Sequence, residues 1–338
     1  MNLDFIANKN MTKTSSFAKL MHRKLAFTMA EILLSLTVIG VVAAITLPAL
    51  MGNINDRAWA TQKKALHARL AQSVAMMPQL SGFGTYTYTT TESGETSATA
   101  DTAAYAFITD GLSKVLKLNH ICEPGKLQKC GITDTITNAV GSAIAMPTDL
   151  KTLNAGFASV IYSGYINPQA TINTKAAAFE TGNGESVALY YNPSCLSKRD
   201  DAVWHYSFPY MCANFIYDLN GTKGPNQVGK DIGFVTALYS YEPNVVAPDF
   251  MTSDAGSGNF EKAEALCDNE ANNTRLPNID ELSALFWNAN LYGIPIGSGG
   301  FWSGSVIDKD RAWGQNFATG IRSPLDRTYG RSVRCVRR

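Results

Sequence analysis

Several familiar chemistries have no foothold in this chain of 338 residues. There is no CxxC, and the four histidines, His22, His67, His120 and His205, are scattered. A structural zinc centre needs clustered sulfur and imidazole ligands, so none is expected. No GxSxG occurs and no carboxylate pair stands out, so no enzymatic activity is expected. Charge is balanced, with 29 Lys and Arg against 28 Asp and Glu, a net charge of +1. That balance suggests no nucleic-acid partner. Charge is missing altogether from Ile32 to Met51.

That uncharged run has membrane length. At about 1.5 Å per residue, some 20 apolar residues span a hydrocarbon core of about 30 Å. The flank before it is basic: Lys9, Lys13, Lys19, Arg23 and Lys24 against Asp4. Positive charge there keeps that end cytoplasmic. Cleavable secretory signals have shorter apolar regions, of about 7 to 15 residues. A plain anchor fits the length but leaves one residue unexplained. Glu31 sits at the start of the run, where a lone carboxylate is costly and marks a partner.

Beyond the run, Trp59, Leu66, Leu70, Val74 and Met77 fall at spacings of seven, four, four and three, one face of an amphipathic helix. Pro78 and Gly82 end it. Residues 81–104 are rich in Thr, Ser, Gly and Ala and read as a mobile loop, with TYTYTTT as an edge strand. FITDGLSKVLKLNHIC, 107–122, reads as a short helix with Phe107, Leu112, Val115, Leu116 and Leu118 turned inward. AAAFET, SVALYY, CANFIYDLN and DIGFVTALY read as strands. The fold class is α+β.

All six cysteines, Cys122, Cys130, Cys195, Cys212, Cys267 and Cys335, follow the apolar run. An even count in an exported chain suggests disulfides, although six cysteines allow fifteen pairings. The pairing that keeps each bond within one unit is Cys122–Cys130, Cys195–Cys212 and Cys267–Cys335. GPNQVGK, 224–230, matches Walker A spacing up to its lysine, but Asp231 follows where Ser or Thr should hold magnesium, and a strand follows where a helix should. Nucleotide binding is rejected. Asp218-Leu-Asn220-Gly221 resembles the start of a calcium loop, yet position twelve is Gly229 rather than an acid. The alternative is an Asn-Gly turn between strands.

KLAFTMAEILLSLTVIGVVAAITLPAL resembles the N-terminus of type IV pilins and type II secretion pseudopilins. The resemblance implies that prepilin peptidase cuts between Ala26 and Phe27 and that Phe27 is N-methylated. Ala26 stands where the family usually has Gly. Glu31 is then the fifth mature residue, facing the N-terminal ammonium of a neighbouring subunit as an assembly device. Pro48 is the helix-kinking proline. The implied architecture is a long N-terminal helix, part membrane and part amphipathic, on an antiparallel-sheet head. Because major pseudopilins bind calcium in a late loop of the head, Asp218, Asn220 and Asp231 become candidate ligands and calcium the candidate cofactor.

From about Met251 the composition changes. RLP…EL, FWSGS, AW…NF..G and VRCVR, over roughly the last 85 residues, resemble bacterial C-type-lectin-like domains related to the formylglycine-generating-enzyme fold. In that reading Cys267–Cys335 staples the ends of the domain. Those enzymes use a reactive cysteine pair, and no such free pair is read here. The resemblance implies a variable recognition surface on a rigid scaffold. Its candidate residues are Asp308, Asp310, Arg311, Gln315, Asn316, Arg322, Asp326, Arg327 and Tyr329, with Trp302 and Trp313 assigned to the core.

The expected organisation is a leader at 1–26, a pilin helix at 27–80, a globular head at 81–250 and a lectin-like ligand-binding domain at 251–338. The implied function is a minor or tip pilin-like subunit that assembles into a surface filament and recognises an external ligand. The implied partners are prepilin peptidase, other pilin or pseudopilin subunits, the inner-membrane assembly platform and an extracellular protein or glycan. The chain would start in the inner membrane and end on the cell surface. The alternative is a pseudopilin of a secretion or DNA-uptake machine, periplasmic, with a purely structural C-terminal domain.

Overall fold

A computed structural model describes residues 28–80, 97–153, 174–193, 210–239, 243–269, 273–295 and 298–338. Ala26, Phe27, Cys195 and the TYTYTTT segment lie outside them. The described chain is a mixed α and β protein whose two largest sheets are mainly antiparallel. It divides into two units, Met1–Ile54 and Asn55–Arg338.

Helix α1 spans Met29–Leu80 and contains Pro48. In the first unit, Met29–Thr46 is long and apolar enough to cross a membrane. Large apolar side chains there, from Ile32 to Ile45, are exposed.

In the second unit α1 changes character. Leu66, Leu70, Val74 and Met77 are buried, as their spacing predicts. They lie against one face of a six-stranded antiparallel sheet. Its strands are β1 Leu118–Cys122, β4 Ala177–Thr181, β5 Ser186–Tyr191, β6 Tyr210–Asp218, β7 Ile232–Tyr239 and β8 Pro243–Val246, in the order β1-β4-β5-β6-β7-β8. Phe179, Val187, Leu189, Phe215 and Val235 meet α1 in one apolar cluster. Each such side chain, fully buried, contributes about 1.5–3 kcal/mol.

Three polar contacts fix the register of the helix on the sheet. Arg69 Nη2 donates to Glu185 Oε1 (2.5 Å), and His67 Nε2 shares a hydrogen bond with the Tyr217 hydroxyl (2.8 Å). Lys63 Nζ donates to Gly229 O (3.0 Å). A Cβ at position 233 would collide with the Tyr217 hydroxyl, so glycine is required there.

The opposite face of the sheet is buried too. All six residues of β5 are inaccessible. Ala178, Ala188, Tyr190, Ile216, Phe234 and Leu238 join a cluster with Leu282, Leu285, Phe286 and Trp287. Those four belong to α5, Ile279–Trp287, which also packs on the second sheet. A buried polar link crosses the same interface. Asn214 Nδ2 donates to Asn288 Oδ1 (2.9 Å) and Asn288 Nδ2 returns to Asn214 Oδ1 (3.0 Å). Among the described residues, packing thus continues across the expected junction near Met251.

The second sheet is β13 Arg322–Asp326, β12 Arg311–Asn316, β11 Gly300–Val306, β14 Arg331–Val333 and β9 Gly256–Gly258, in that order. Only β11 and β14 run parallel. It packs on α4, Phe260–Cys267, through Trp302, Ala312 and Val333. Shorter elements include α2 Ser97–Ala106, α3 Leu150–Leu153, 3-10 turns at Leu127–Cys130 and Ala289–Tyr292, and the ribbons β2–β3 (Thr135–Thr137 with Ala143–Ala145) and β10–β15 (Thr274–Arg275 with Val336–Arg337).

The helix expected over 107–122 is corrected. A π turn at Phe107–Gly111 and a 3-10 turn at Leu112–Lys114 precede β1. Phe107, Leu112 and Leu116 do point inward, but pairing with β4 draws Leu118–Cys122 into the sheet. Cys122–Cys130 and Cys267–Cys335 are bonded as expected. Cys212 is disulfide-bonded as well, while the Cys195 half of the expected third bond is outside the described residues.

Candidate functional site

Three places carry the candidate residues. The first is the start of α1. Thr28 N and Thr28 Oγ1 both donate to Glu31 Oε2 (2.9 Å each), and Glu31 N donates to Thr28 Oγ1 (3.2 Å). This is a reciprocal capping box, which satisfies orphan amides at the helix start and places an acid at its positive end. The carboxylate thus has a local structural role within its own chain.

The second place is the β6–β7 loop, 218–231. Asp231 is fully buried, and its two oxygens accept Asn226 N and Gln227 N (2.9 Å each). Asp218 Oδ1 accepts Asn220 N (3.0 Å), and Asn220 Nδ2 donates to Gly224 O (3.2 Å). Turned to satisfy both its amide atoms, Asn226 donates to Asp218 Oδ2 (3.2 Å) and Gly221 O (3.0 Å). Burial pushes the Asp218 carboxyl up to about 7. Asp231 is occupied by the loop's own amides, while Asn220 Oδ1 is buried without a partner among the described residues and Asp218 Oδ2 faces the turned Asn226 amide.

The Walker-like segment lies in the same loop. Its amides are closed on the protein: Val228 N on Thr137 O, Gly229 N on Ile232 O and Lys230 N on Gln227 O. No row of free N–H groups is left to cradle a phosphate chain. One cluster of three metal-type side chains occurs among the described residues, His120, Cys122 and Cys130. Both of its sulfurs are in a disulfide.

The third place is the edge of the second sheet, where two turns meet. Arg327 N donates to Asp310 O (2.9 Å), tying the β13–β14 turn to the β11–β12 turn. Asp308 accepts from Asp310 N (3.0 Å), Arg311 N (2.8 Å) and Arg311 Nε (2.9 Å). Arg311 holds the Asp308 carboxyl below the usual carboxylate range. Thr328 does the same for Asp326, donating from Oγ1 (2.6 Å) and N (2.9 Å). Asp310, Arg311, Asn316, Asp326 and Tyr329 are exposed and Asp308 is half-buried. The Arg331 guanidinium lies 5.7 Å from the Tyr329 ring centroid.

Two residues expected on that face are not there. Gln315 is 1 % exposed and Arg322 is 5 % exposed. Arg322 Nη2 donates to Asp280 Oδ1 (2.7 Å) and Arg322 Nε to Ser283 Oγ (2.8 Å). Ser283 Oγ donates to Gln315 Oε1 (3.0 Å). Both side chains dock the sheet onto α5, whose polar groups supply their partners. Arg327 is half-buried, stacked 4.4 Å from the Phe260 ring centroid and ion-paired with Glu261 and Glu264. Trp302 is fully buried, with Nε1 donating to Gly258 O (3.0 Å), while Trp313 is half-buried.

Val306, the last residue of β11, and Ile307, the first of the β11–β12 turn, are 52 % and 37 % exposed and were missed. Only the position of the turn brings them to the surface. No protein-family model and no curated protein matches the chain.

Proposed function

We propose that this chain is a type IV pilin-like subunit, minor or at the filament tip, that is cleaved and methylated at Phe27 and displays its C-terminal region for ligand recognition. The observation that carries the reading is the single helix Met29–Leu80, with a membrane-length apolar start, an acid in its first turn, and a later stretch packed on an antiparallel sheet. A lone anchor needs neither the acid nor the continuation. The lectin-like part draws support from a second sheet flanked by two helices, with Cys267–Cys335 joining the end of α4 to the segment between β14 and β15. Two tied turns there present Asp310, Arg311 and Tyr329, residue types suited to recognition.

A second reading has its own observation. The C-terminal region contributes Leu282, Leu285 and Phe286 to the core of the six-stranded sheet. That suits a pseudopilin whose last region is structural.

Mass spectrometry on sheared surface filaments tests the proposal. The expected result is an N-terminal N-methyl-Phe27 peptide together with a Cys267–Cys335 linked peptide. Recovery of the chain only in the inner membrane, starting at Met1, would reduce the reading to a plain anchor. Glu31→Ala is expected to leave the chain membrane-inserted but poorly assembled. Normal filament yield from that variant would remove the assembly role of the acid.

A further inference from the structure

A recess of about 480 Å³ opens between α1, the β6–β7 loop and β15, within the Asn55–Arg338 unit. Its charged lining is Arg57 and Lys63 from α1, Lys230 from the loop, Arg337 from β15 and a single acid, Asp249; Trp59 supplies an aromatic wall. Four cations around one carboxylate is an unusual concentration in a chain of net charge +1.

The acid is already shared. Asp249 Oδ1 lies 3.4 Å from Lys63 Nζ, and Asp249 Oδ2 accepts from Arg337 Nη1 (2.9 Å). Lys63 is 5 % exposed and donates to Gly229 O and Asp249, two of the three bonds an ammonium can make. Arg57 and Lys230 are exposed and have no carboxylate partner among the described residues. A dispersed cationic surface would be bland. Here the cations converge on a concavity of ligand size, with one buried ammonium at its floor.

We propose that this recess binds a phosphate-bearing small molecule, with Arg57, Lys63, Lys230 and Arg337 around the phosphate and Trp59 against the remainder. The excess of three positive charges suits a phosphate monoester, at about −1.5 to −2, better than a single carboxylate; the singly charged diester of a phospholipid headgroup would engage the same cations through its two free oxygens. Binding is through side-chain charge, because the amides of the 224–230 loop are closed on the protein. Trp59 is half-buried and offers a ring beside the cations. The proposal rests on the Asn55–Arg338 unit and stands apart from the filament reading. The phosphate could belong to a free metabolite or to a phospholipid headgroup.

The test uses the full chain in a nonionic maltoside detergent, at ionic strength held constant with sodium chloride. Calorimetric titrations use inorganic phosphate, glycerol 1-phosphate, and micelles doped with phosphatidylglycerol. The expected result is saturable binding of at least one probe, weakened at least tenfold in the double variant Arg57→Gln, Lys230→Gln. Both positions are exposed, so the fold should survive; an unchanged thermal midpoint checks this. Free phosphates binding points to a metabolite. A response to doped micelles alone, lost in the double variant, points to a headgroup. A tryptophan fluorescence change on binding, absent in Trp59→Phe, places the ligand in this recess. No saturable binding of any probe, or equal binding by the double variant, would overturn the proposal.

Discussion

Leu34 and Leu70 lie in the same helix, and their surroundings are opposite. Leu34 is 67 % exposed in a stretch whose apolar side chains point all round, whereas Leu70 is fully buried against a sheet. Charge separates them: none occurs from Ile32 to Met51, whereas Arg57, Lys63, Lys64 and Arg69 fall in the second stretch. Distribution separates them as well. An apolar residue at every angle suits a surrounding that is apolar on every side. A stripe at spacings of three and four suits one packed face, with Arg57, Lys64 and other polar groups left to water.

The sharpest way to break this comparison is a charge. Leu70→Asp would bury a carboxylate with no partner and should cost more than about 4 kcal/mol, enough to unfold the docked unit, read by thermal melting. Leu34→Asp should leave that melt unchanged and weaken membrane partition by about 3 kcal/mol. Equal melting of the two variants would mean that the two stretches are not distinct.

Next in size is the Cys267–Cys335 bond, which closes a separation of 68 residues. Replacing both cysteines with serine should cost the docked unit about 4 kcal/mol by chain entropy, against about 2.5 kcal/mol for the Cys122–Cys130 loop of eight. Chemical denaturation of the two double variants would show the order. Neither should alter membrane partition, because Met29–Thr46 contains no cysteine.

A pH effect should belong to the docked half alone. Burial pushes His67 down from 6.5 to about 4. The unfolded chain then binds the proton first, so stability is full above about 6.5 and is lost as pH falls toward 4, by up to about 3 kcal/mol. Asp218 works the other way, since its folded value is raised to about 7 and stability is lost as pH rises from about 4 to 7. The difference between wild type and His67→Gln isolates the first contribution. Urea midpoints measured between pH 4 and 7 should converge as pH falls.

The smallest expected effect is at the first turn. Thr28→Ala removes the hydroxyl that caps Glu31 N and should cost about 1 kcal/mol of local helix stability. Amide exchange over Ala30–Leu34 in micelles would rise, while exchange at Leu66–Met77 would not. A rise at both would tie the two stretches into one cooperative helix.

Local pattern made much of the fold legible. SVALYY and DIGFVTALY read as strands because β-branched and aromatic residues cluster between turn signals. In the structure Asn278 and Glu281 close a capping box at the start of α5. The candidate surface was less legible. Gln315 and Arg322 read as exposed because such side chains rarely lose water without partners. Ser283 and Asp280, more than thirty residues away, supply those partners. Asp218 and Asp231 read as ion ligands because carboxylates near a turn have that chemistry. In the fold both carboxylates accept the loop's own amides, an arrangement that the sequence did not announce.

The elements of this protein that followed from its sequence are the apolar run, the stripe after it and most strands of the first sheet. Each is set by short-range periodicity. The partners of those elements did not follow. That both faces of the six-stranded sheet are covered, one by α1 and the other by α5, is a choice among apolar surfaces that are chemically alike. Hydrophobic burial has no direction, so only the packed shape of the whole chain selects which surface meets which. The cationic recess is decided at the same level. Arg57, Lys230 and Arg337 are far apart in sequence, and only the tertiary fold brings them around one space.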